Sequence, residues 1–227
     1  MKKVWIFGMI ITMFSCKTDK QNKDILQGQI VGLKKGTVYL NRVENDTLIA
    51  VDSVSVKGDD SFTFDLTPYE PQLMAVTLKE DTDREYILMF TDDTVNLLKT
   101  SLRKYGVEKV LSGGENFRKW QEYKQILRQY NDKKLDLIKE EVEAVRQKDS
   151  QLHNQVKEQL FSLEKRRIKY ALNFSISNKH LPVGAYVALK ELTSSRRLLD
   201  TVYKSLNPDI RQSLYGQKIK RLLNEKD

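Results

Sequence analysis

A change of hydrophobic period in the middle of the chain constrains the fold more than any other feature. From Asp24 to about Ser112, apolar residues recur at every second position in short runs separated by turn residues, which is typical of β-strands. From Glu115 onward they recur at every third or fourth position in long runs, which is typical of amphipathic helices. The chain is therefore predicted to be α+β, with a β region at 24–112 and a helical region at 113–227.

Seven or eight short strands are predicted in the β region. Their spacing of roughly 10–12 residues, with turn clusters between them, favours an antiparallel β-sandwich or barrel, and these two architectures stay open. The predicted strands cover residues 25–31, 36–42, 47–56, 61–66, 73–78, 85–90 and 94–99, with an eighth candidate at 105–111.

Two long helical runs follow, joined by a few polar residues in which Asp149 and Ser150 resemble an N-cap. They predict an αα-hairpin about 40 Å long at 1.5 Å per residue. The predicted inward faces consist of Phe117, Trp120, Tyr123, Leu127, Tyr130, Leu137, Val142 and Val145 in the first helix and Leu152, Val156, Leu160, Leu163, Tyr170 and Phe174 in the second. Three shorter helices are predicted at 183–192, 194–206 and 208–223, with Ser194 and Asn207 as N-caps and Pro208 at a first helical position.

The first sixteen residues predict export. Two lysines precede an apolar run at 4–14, which is shorter than the about 20 residues of a membrane-spanning helix and fits a signal peptide. Ser15 and Cys16 follow directly, as in a bacterial lipobox, in which the cysteine is acylated and becomes the new N-terminus. Because Met13 and Phe14 stand where a lipobox usually has leucine and a small residue, an ordinary secretory signal with an incidental cysteine stays open.

Lipidation at Cys16 predicts a membrane-anchored protein. Acyl chains contribute about 0.8 kcal/mol per buried CH₂, so several chains on one cysteine hold a protein stably on a bilayer. The polar segment 17–23 is predicted to be a flexible tether. We expect a protein at the cell membrane or outer membrane, with its folded part in the periplasm or at the cell surface. Cys16 is the single cysteine, which excludes an internal disulfide and a CxxC redox pair.

Few residues in the sequence suggest catalysis or metal binding. His153 and His180 have no partner at metal-ligand spacing and are predicted to lie at the surface. Three acidic clusters, at 59–60, 80–83 and 92–93, lack the framework of a calcium loop and predict solvated hairpin turns. The sequence therefore predicts no catalytic residue, no metal site and no cofactor.

Asp52 is the one candidate for carboxylate chemistry. It falls at a position that otherwise carries apolar residues in the strand predicted at 47–56. One interpretation makes it a partly buried carboxylate of a hydrolase, and the other makes it an acceptor of backbone hydrogen bonds near a bend.

The net charge of +8 belongs to the helical region. Residues 113–227 carry 24 basic and 15 acidic residues, whereas residues 17–112 carry 13 basic and 16 acidic ones. A basic helical surface can bind nucleic acid, but an exported lipoprotein rarely meets any, so no nucleic-acid partner is predicted. Anionic lipid headgroups or an acidic partner protein in the envelope fit better, and a solvated helix exterior is the alternative.

Several short motifs together resemble a known family. They are Gly28-x-Ile30-x-Gly32, Val38-Tyr39-Leu40, Asp52-Ser53, Gly58 before Phe62-x-Phe64, Ser112-Gly113-Gly114 with Phe117, Asn178-x-x-Leu181-Pro182-x-Gly184, and the segment from Leu206 to Tyr215-Gly216. Over about residues 25–224 the chain resembles exported Bacteroidota proteins with an N-terminal β domain of unknown function, domain-of-unknown-function family 4369. In many of these proteins a ResA/TlpA-like thioredoxin domain with a CxxC follows, and we expect that domain to be absent here because the chain stops at Asp227.

Two functional hypotheses follow. The first is a membrane-anchored, non-catalytic binding or assembly module of unknown ligand, in which the β region presents a surface and the hairpin reaches a partner. The alternative, which the resemblance implies, is an accessory partner of a separately encoded thioredoxin-like thiol-disulfide oxidoreductase. A hydrolase built on Asp52 is a third and weaker interpretation.

Overall fold

The computed structural model describes residues 24–45, 47–78 and 86–225, in which the strands precede the helices, so the predicted α+β order is confirmed. The strands are β1 (Ile25–Val31), β2 (Lys35–Glu44), β3 (Thr47–Lys57), β4 (Ser61–Asp65), β5 (Leu73–Thr77), β6 (Tyr86–Phe90), β7 (Val95–Ser101) and β8 (Lys109–Ser112). The helices are α1 (Glu115–Gln147), α2 (Ser150–Ser177), α3 (Pro182–Glu191), α4 (Arg196–Ser205), α5 (Pro208–Gln212) and α6 (Leu214–Asn224), and a short 3₁₀ helix covers Leu102–Lys104.

The strands form two four-stranded sheets, in the orders β4-β1-β7-β8 and β3-β2-β5-β6. Each sheet keeps two edge strands, so the β region is a sandwich and not a closed barrel. Every pair is antiparallel as predicted except β1 and β7, which run parallel with Ile25 opposite Val95. The prediction is wrong for this pair because a period of two records which face of a strand is buried and not the direction of its neighbour.

Gly28 shows how one residue shapes the packing of the first sheet. It lies opposite Phe62 in the β1–β4 pair, and a Cβ atom at this position would lie 2.0 Å from the Phe62 ring. The ring therefore occupies the space that a side chain on β1 would fill. Phe62 and Phe64 are both buried and meet edge to face, with their ring centroids 5.5 Å apart.

Helices α1 and α2 form the predicted αα-hairpin. Lys148 ends α1 in the left-handed conformation, with φ at 57°, and the Asp149 carboxylate accepts a hydrogen bond from the Leu152 N–H at 2.9 Å. The Asp149 N-cap is thereby confirmed. The 33 residues of α1 make this helix about 50 Å long, which is longer than predicted.

The predicted inward face of α1 is confirmed near its start and wrong near the hairpin tip. Trp120 and Leu137 are buried, but Val142 and Val145 are 64% and 59% exposed. The outer half of the hairpin has only a small core of its own, around Leu137. There α1 is covered by α2 alone, and buried Ala144 takes the place that the valines were predicted to hold.

The short helices after the hairpin number four in the described residues, where three were predicted. Ser213 separates α5 from α6, and its hydroxyl accepts a hydrogen bond from the Gly216 N–H. The N-cap of α4 is Ser195 and not Ser194, whereas Asn207 and Pro208 begin α5 as predicted.

The β-sandwich and the base of the helical region share one hydrophobic core. Phe90 of β6, Tyr186 of α3 and Tyr215 of α6 pack together, with ring centroids 5.2 to 6.0 Å apart. The β region and the base of the helical region are therefore packed directly against each other.

Candidate functional site

Asp92 joins the β-sandwich to the first helix. It follows β6 and is 8% exposed, and its carboxylate accepts hydrogen bonds from the Asn116 and Phe117 N–H groups, each at 2.9 Å. The first N–H groups of a helix have no partner within the helix, and a negative charge is favourable there. The prediction of a solvated turn at Asp92 is wrong, because the donors that it meets lie on a helix 24 residues further along the chain.

Asn116 extends this joint to α3. Its side-chain amide donates to Asp92, and its Oδ1 accepts the Val183 N–H at 3.0 Å in the first turn of α3. Asn96 holds the loop from the other side: its Oδ1 accepts the Asp92 N–H at 3.1 Å, and its amide donates to the Ile25 carbonyl at 3.3 Å. The starts of β1, α1 and α3 therefore meet at one end of the molecule.

A second set of contacts fixes α6 to the sandwich. The Glu70 carboxylate accepts the Leu214 N–H at 2.7 Å, and the Tyr215 hydroxyl accepts the Leu73 N–H at 2.9 Å. Burial raises the pKa of Tyr215 above its usual range. The helical region is thus held to the β-sandwich at two separate places.

A groove lies between the end of β2 and helices α3 and α6. It consists of two adjoining concavities of about 310 and 450 Å³. Its walls carry more positive than negative charge, and Lys218 lies 3.7 Å from the Glu44 carboxylate. The arrangement suits an anion with an apolar part. The lining residues are Val43, Glu44, Asn45, Tyr186, Leu189, Lys190, Thr193, Tyr215, Lys218, Arg221 and Leu222.

Aromatic rings and an ion-pair cluster fill the base of the hairpin. Tyr123 stacks on Tyr170, with ring centroids 5.6 Å apart. Arg167 pairs with Glu164 at 2.8 Å and with Glu191 of α3, which ties α2 to α3. Burial, and then the nearby Glu191 charge, raise the pKa of Tyr123. The Arg167 guanidinium and the two carboxylates neutralise one another, so we interpret the cluster as structural.

Lys124 of α1 is half-buried beside an aromatic ring. Burial, with Lys109 and Arg128 nearby, lowers the pKa of Lys124 to about 8. Its Nζ lies 3.6 Å from the centroid of the Trp120 ring, in a cation–π contact. A half-buried cation held on an aromatic ring has a packing role, and we do not place it in a site.

The outer half of the hairpin exposes apolar side chains on both of its helices. Leu135, Ile138, Val142 and Val145 recur on α1 at intervals of three and four residues and are 53%, 40%, 64% and 59% exposed. Phe161 of α2 is 72% exposed. We call these five residues the hairpin stripe. Surface of this kind marks a contact with a partner in many soluble proteins.

A groove of about 460 Å³ runs between the two helices beside the hairpin stripe. Ile138 lines it from α1 and Glu164 lines it from α2. At about 100° per residue, the other α1 members of the stripe lie within about 60° of Ile138, so the α1 part of the stripe borders the groove. Phe161 lies about 160° around α2 from Leu163, which lines the groove, so its ring points away from the groove. The remaining lining residues are Tyr130, Asn131, Lys134, Leu160, Leu163 and Arg167.

Neither the Asp92 joint nor the exposure of the stripe was predicted from the sequence. A signal for the stripe does exist in α1. The buried positions Leu137 and Ala144 and the exposed Val142 and Val145 together cover more of the helix circumference than one neighbouring helix can bury.

The predicted lipidation site Cys16 and the acidic cluster at 80–83 lie outside the described residues. At the cluster 59–60, the Asp59 carboxylate accepts the Ser61 N–H at 3.1 Å, which confirms a turn. Neighbouring Asp60 accepts a hydrogen bond from the Gln29 amide at 3.1 Å.

Asp52 is exposed and makes a local hydrogen bond. Its carboxylate accepts the Ser53 N–H at 2.7 Å, next to the register shift between Leu40 and Asn41 in the β2–β3 pair. The interpretation as a backbone acceptor at a bend is confirmed, and the interpretation as a partly buried carboxylate is wrong.

The two histidines differ in their surroundings. His180 is exposed as predicted, with its Nε2 3.9 Å from the Glu115 carboxylate. The surface prediction is wrong for His153, which is half-buried between the hairpin helices with its Nδ1 3.8 Å from Glu141. Across the described ranges, no three His, Cys, Asp or Glu side chains converge as they would around a metal ion.

Among the residues that the structure describes, no helix is both long and apolar enough to cross a membrane. Comparisons of the chain with protein-family models, with curated proteins and with solved structures give no match. The geometry of the Asp92 joint and of the hairpin is therefore the basis of the function proposed below.

Proposed function

We propose that this protein is a lipid-anchored module of the cell envelope that binds or assembles partner proteins without catalysis. The observation that supports this most is that Ile25, at the start of the folded part, lies close to the start of α1. Ile25 is tied through Asn96 to Asp92, and Asp92 holds the start of α1. The same helix ends about 50 Å away, beyond the exposed hairpin stripe.

The predicted tether is short compared with this helix. Residues 17–23 span at most about 25 Å when fully extended. An anchor at Cys16 thus keeps the Asp92 joint near the bilayer, whereas the outer hairpin reaches much further. Such a shape suits a protein that holds a partner at a set distance from a membrane.

The stiffness of the joint supports the same proposal. The Asp92 carboxylate is buried and accepts N–H groups of α1, and Arg167 ties α2 to α3. The sandwich and the base of the hairpin also share one core. The hairpin is therefore attached as a rigid arm.

Substitution of the predicted acylated residue tests the anchor. Wild-type protein is expected in the membrane fraction and to incorporate labelled palmitate, whereas Cys16→Ser is expected in the soluble fraction without label. Ser15→Ala is the matched control, because it keeps a small residue before the cysteine, and it is expected to remain at the membrane. Membrane retention of Cys16→Ser would contradict lipid anchoring.

The same membranes address the alternative role beside a thioredoxin-like oxidoreductase. Recovery of a thioredoxin-fold protein with the tagged wild-type chain, together with a changed periplasmic thiol status after deletion, would favour that role. Recovery of other partners, with unchanged thiol status, would favour the binding or assembly module.

A further inference from the structure

We propose that the groove between the end of β2 and helices α3 and α6 binds an anionic phospholipid of the membrane that carries the anchor. This inference rests on the proposed function, because the lipid anchor is what brings the groove to a bilayer. The two adjoining concavities, of about 310 and 450 Å³, are in the size range of ligand sites in proteins. The lipid phosphate lies on the cations of the walls, and the start of an acyl chain lies on their apolar part.

The walls of the groove carry an excess of positive charge. Among the described lining residues, Lys190, Lys218 and Arg221 are cations, and Glu44 is a carboxylate. Lys218 and Arg221 are three residues apart on α6, so both lie on the same face of this helix. The Glu44 carboxylate is shared, because the Arg42 Nε lies 3.2 Å from it and the Lys218 Nζ lies 3.7 Å from it. One carboxylate between two cations leaves this trio with a net positive charge.

The same groove has an apolar surface beside these cations. Val43 lines it from β2, Leu189 from α3 and Leu222 from α6, and Leu222 is 38% exposed. Tyr186 and Tyr215 pack against each other at its floor, with ring centroids 5.2 Å apart. A free inorganic anion uses the cations alone, whereas a phospholipid gains from both the charge and the apolar surface.

The groove lies at the end of the sandwich where the predicted tether enters. The Leu66 N–H donates to the Asp24 carbonyl at 2.6 Å, which ties the start of the folded part to the loop after β4. Glu70 in this loop accepts the Leu214 N–H at the start of α6. The next residue, Tyr215, belongs to the floor of the groove. The groove and the chain entry are therefore neighbours.

The tether favours a membrane lipid over a soluble anion as the occupant. Residues 17–23 span at most about 25 Å when fully extended, so an anchor at Cys16 keeps this end of the sandwich near the headgroups. Tethering raises the effective concentration of lipid at the groove, so even a weak site is filled. Anionic lipids also attract basic residues close to a bilayer surface. An acidic partner protein is the competing occupant, and crosslinking distinguishes the two.

Photolabelling of the full-length chain in vesicles tests the site. The probe is phosphatidylglycerol with a diazirine in its acyl chain, at a low fraction in phosphatidylcholine vesicles, and the comparison is phosphatidylcholine with the same diazirine. After irradiation and proteolysis, mass spectrometry locates the labelled peptides. We expect label on α3 and α6 from phosphatidylglycerol and much less from phosphatidylcholine. Equal label from the two lipids, or no label on α3 and α6, would overturn the proposal.

Two lysines of α6 provide a matched pair of variants. Lys218→Gln removes a cation of the groove, whereas Lys220→Gln removes the same charge from an exposed position that does not line it. We expect Lys218→Gln to lower the labelling about tenfold, because a hydrogen bond to a charged phosphate is lost, and Lys220→Gln to keep it near the wild-type level. Thermal unfolding curves show whether both variants fold. A folded Lys218→Gln chain that is labelled like the wild type would contradict the site.

Inorganic phosphate separates a lipid site from a site for free phosphate. An excess of sodium phosphate is expected to leave the labelling as it is in sodium chloride of equal ionic strength. Loss of the label in phosphate alone would assign the groove to free phosphate and overturn the lipid as its ligand.

Crosslinking in the cell's own membranes separates a lipid from a protein partner. Benzoylphenylalanine replaces Thr193, an exposed residue of the lining. We expect an adduct heavier than the chain by the mass of one phospholipid. An adduct with a second protein in its place would overturn the proposal.

The anchor is judged separately, by incorporation of labelled palmitate. A palmitoylated chain without label in the groove would contradict the lipid site alone. A chain that lacks palmitate and is still labelled in the groove would support the site and contradict the anchor.

Discussion

At the scale of single residues, Asp92 carries a negative charge into a nearly buried position because N–H donors surround it. Two of these donors belong to the first turn of α1, and the third is the side chain of Asn116. A buried carboxylate is stable when its oxygens accept hydrogen bonds of this kind. Through these hydrogen bonds the single side chain of Asp92 fixes the orientation of α1.

Asp92→Ala is expected to lower the free energy of unfolding by about 2–3 kcal/mol, because it leaves buried helix N–H groups without an acceptor. Urea denaturation followed by circular dichroism measures the change. A variant as stable as the wild type would show that the joint does not depend on this carboxylate.

Asp93→Asn is the matched control in the next position. Burial, and then the charges of Asp24, Asp92 and Glu70, raise the pKa of Asp93. An acid with a raised pKa in the folded state destabilises the fold above that pKa and has no effect below its ordinary value. The substitution is therefore expected to leave stability unchanged or slightly increased at pH 7, with any gain vanishing as the pH falls below about 4.

Predictions for single residues were confirmed where the residue's role depends on its neighbours in the sequence. Asp149 as an N-cap, Pro208 at a helix start and Asp52 at a bend all depend on neighbours within a few residues. Asp92 and His153 were predicted at the surface. Asp92 binds a helix 24 residues further along the chain, and His153 lies near Glu141 on the other helix of the hairpin. A hydrophobic period predicts the elements but not which polar side chains they bring together.

At the scale of elements, periodicity predicted the strands and helices well, because each has one buried face. It did not predict the parallel β1–β7 pair or the exposed side of α1, since both depend on which elements become neighbours. The packing of elements also explains the glycine in the Ser112-Gly113-Gly114 motif. A Cβ atom at Gly114 would lie 2.8 Å from Asp92, so the chain passes the joint too closely for a side chain.

Gly184→Ala tests the contact between α2 and α3. Alanine normally stabilises a helix relative to glycine by about 1 kcal/mol. Here a Cβ atom would lie 2.4 Å from the Asn178 carbonyl oxygen, which is backbone and cannot rotate away. We therefore expect a loss of about 3 kcal/mol in chemical denaturation.

Gly58→Ala is the control for this substitution. Gly58 has φ at 88°, and a Cβ atom at this position would have no neighbouring atom within 4 Å, so only backbone strain opposes alanine. The expected loss is about 1 kcal/mol. A Gly184→Ala variant that loses no more than Gly58→Ala would contradict the close approach of α2 and α3.

At the scale of the whole molecule, Ile25 at the start of the folded part and the hairpin tip lie at opposite ends of α1. Ile25 is bound to the loop that holds the first turn of this helix, and the tip lies 33 helical residues away. A tether of at most about 25 Å keeps the joint within that distance of the bilayer, whereas an α1 of about 50 Å that projects from the joint would carry the tip beyond the reach of the tether. This asymmetry is the physical basis of the proposed role.

Energy transfer to the bilayer measures this asymmetry directly. A donor dye is placed at Asp93→Cys, beside the joint, or at Gln151→Cys, at the tip, in lipidated protein reconstituted into vesicles with acceptor dye on the lipid headgroups. We expect strong transfer from position 93 and weak transfer from position 151. Equal transfer from the two positions, or stronger transfer from position 151, would contradict an arm that projects from an anchored joint.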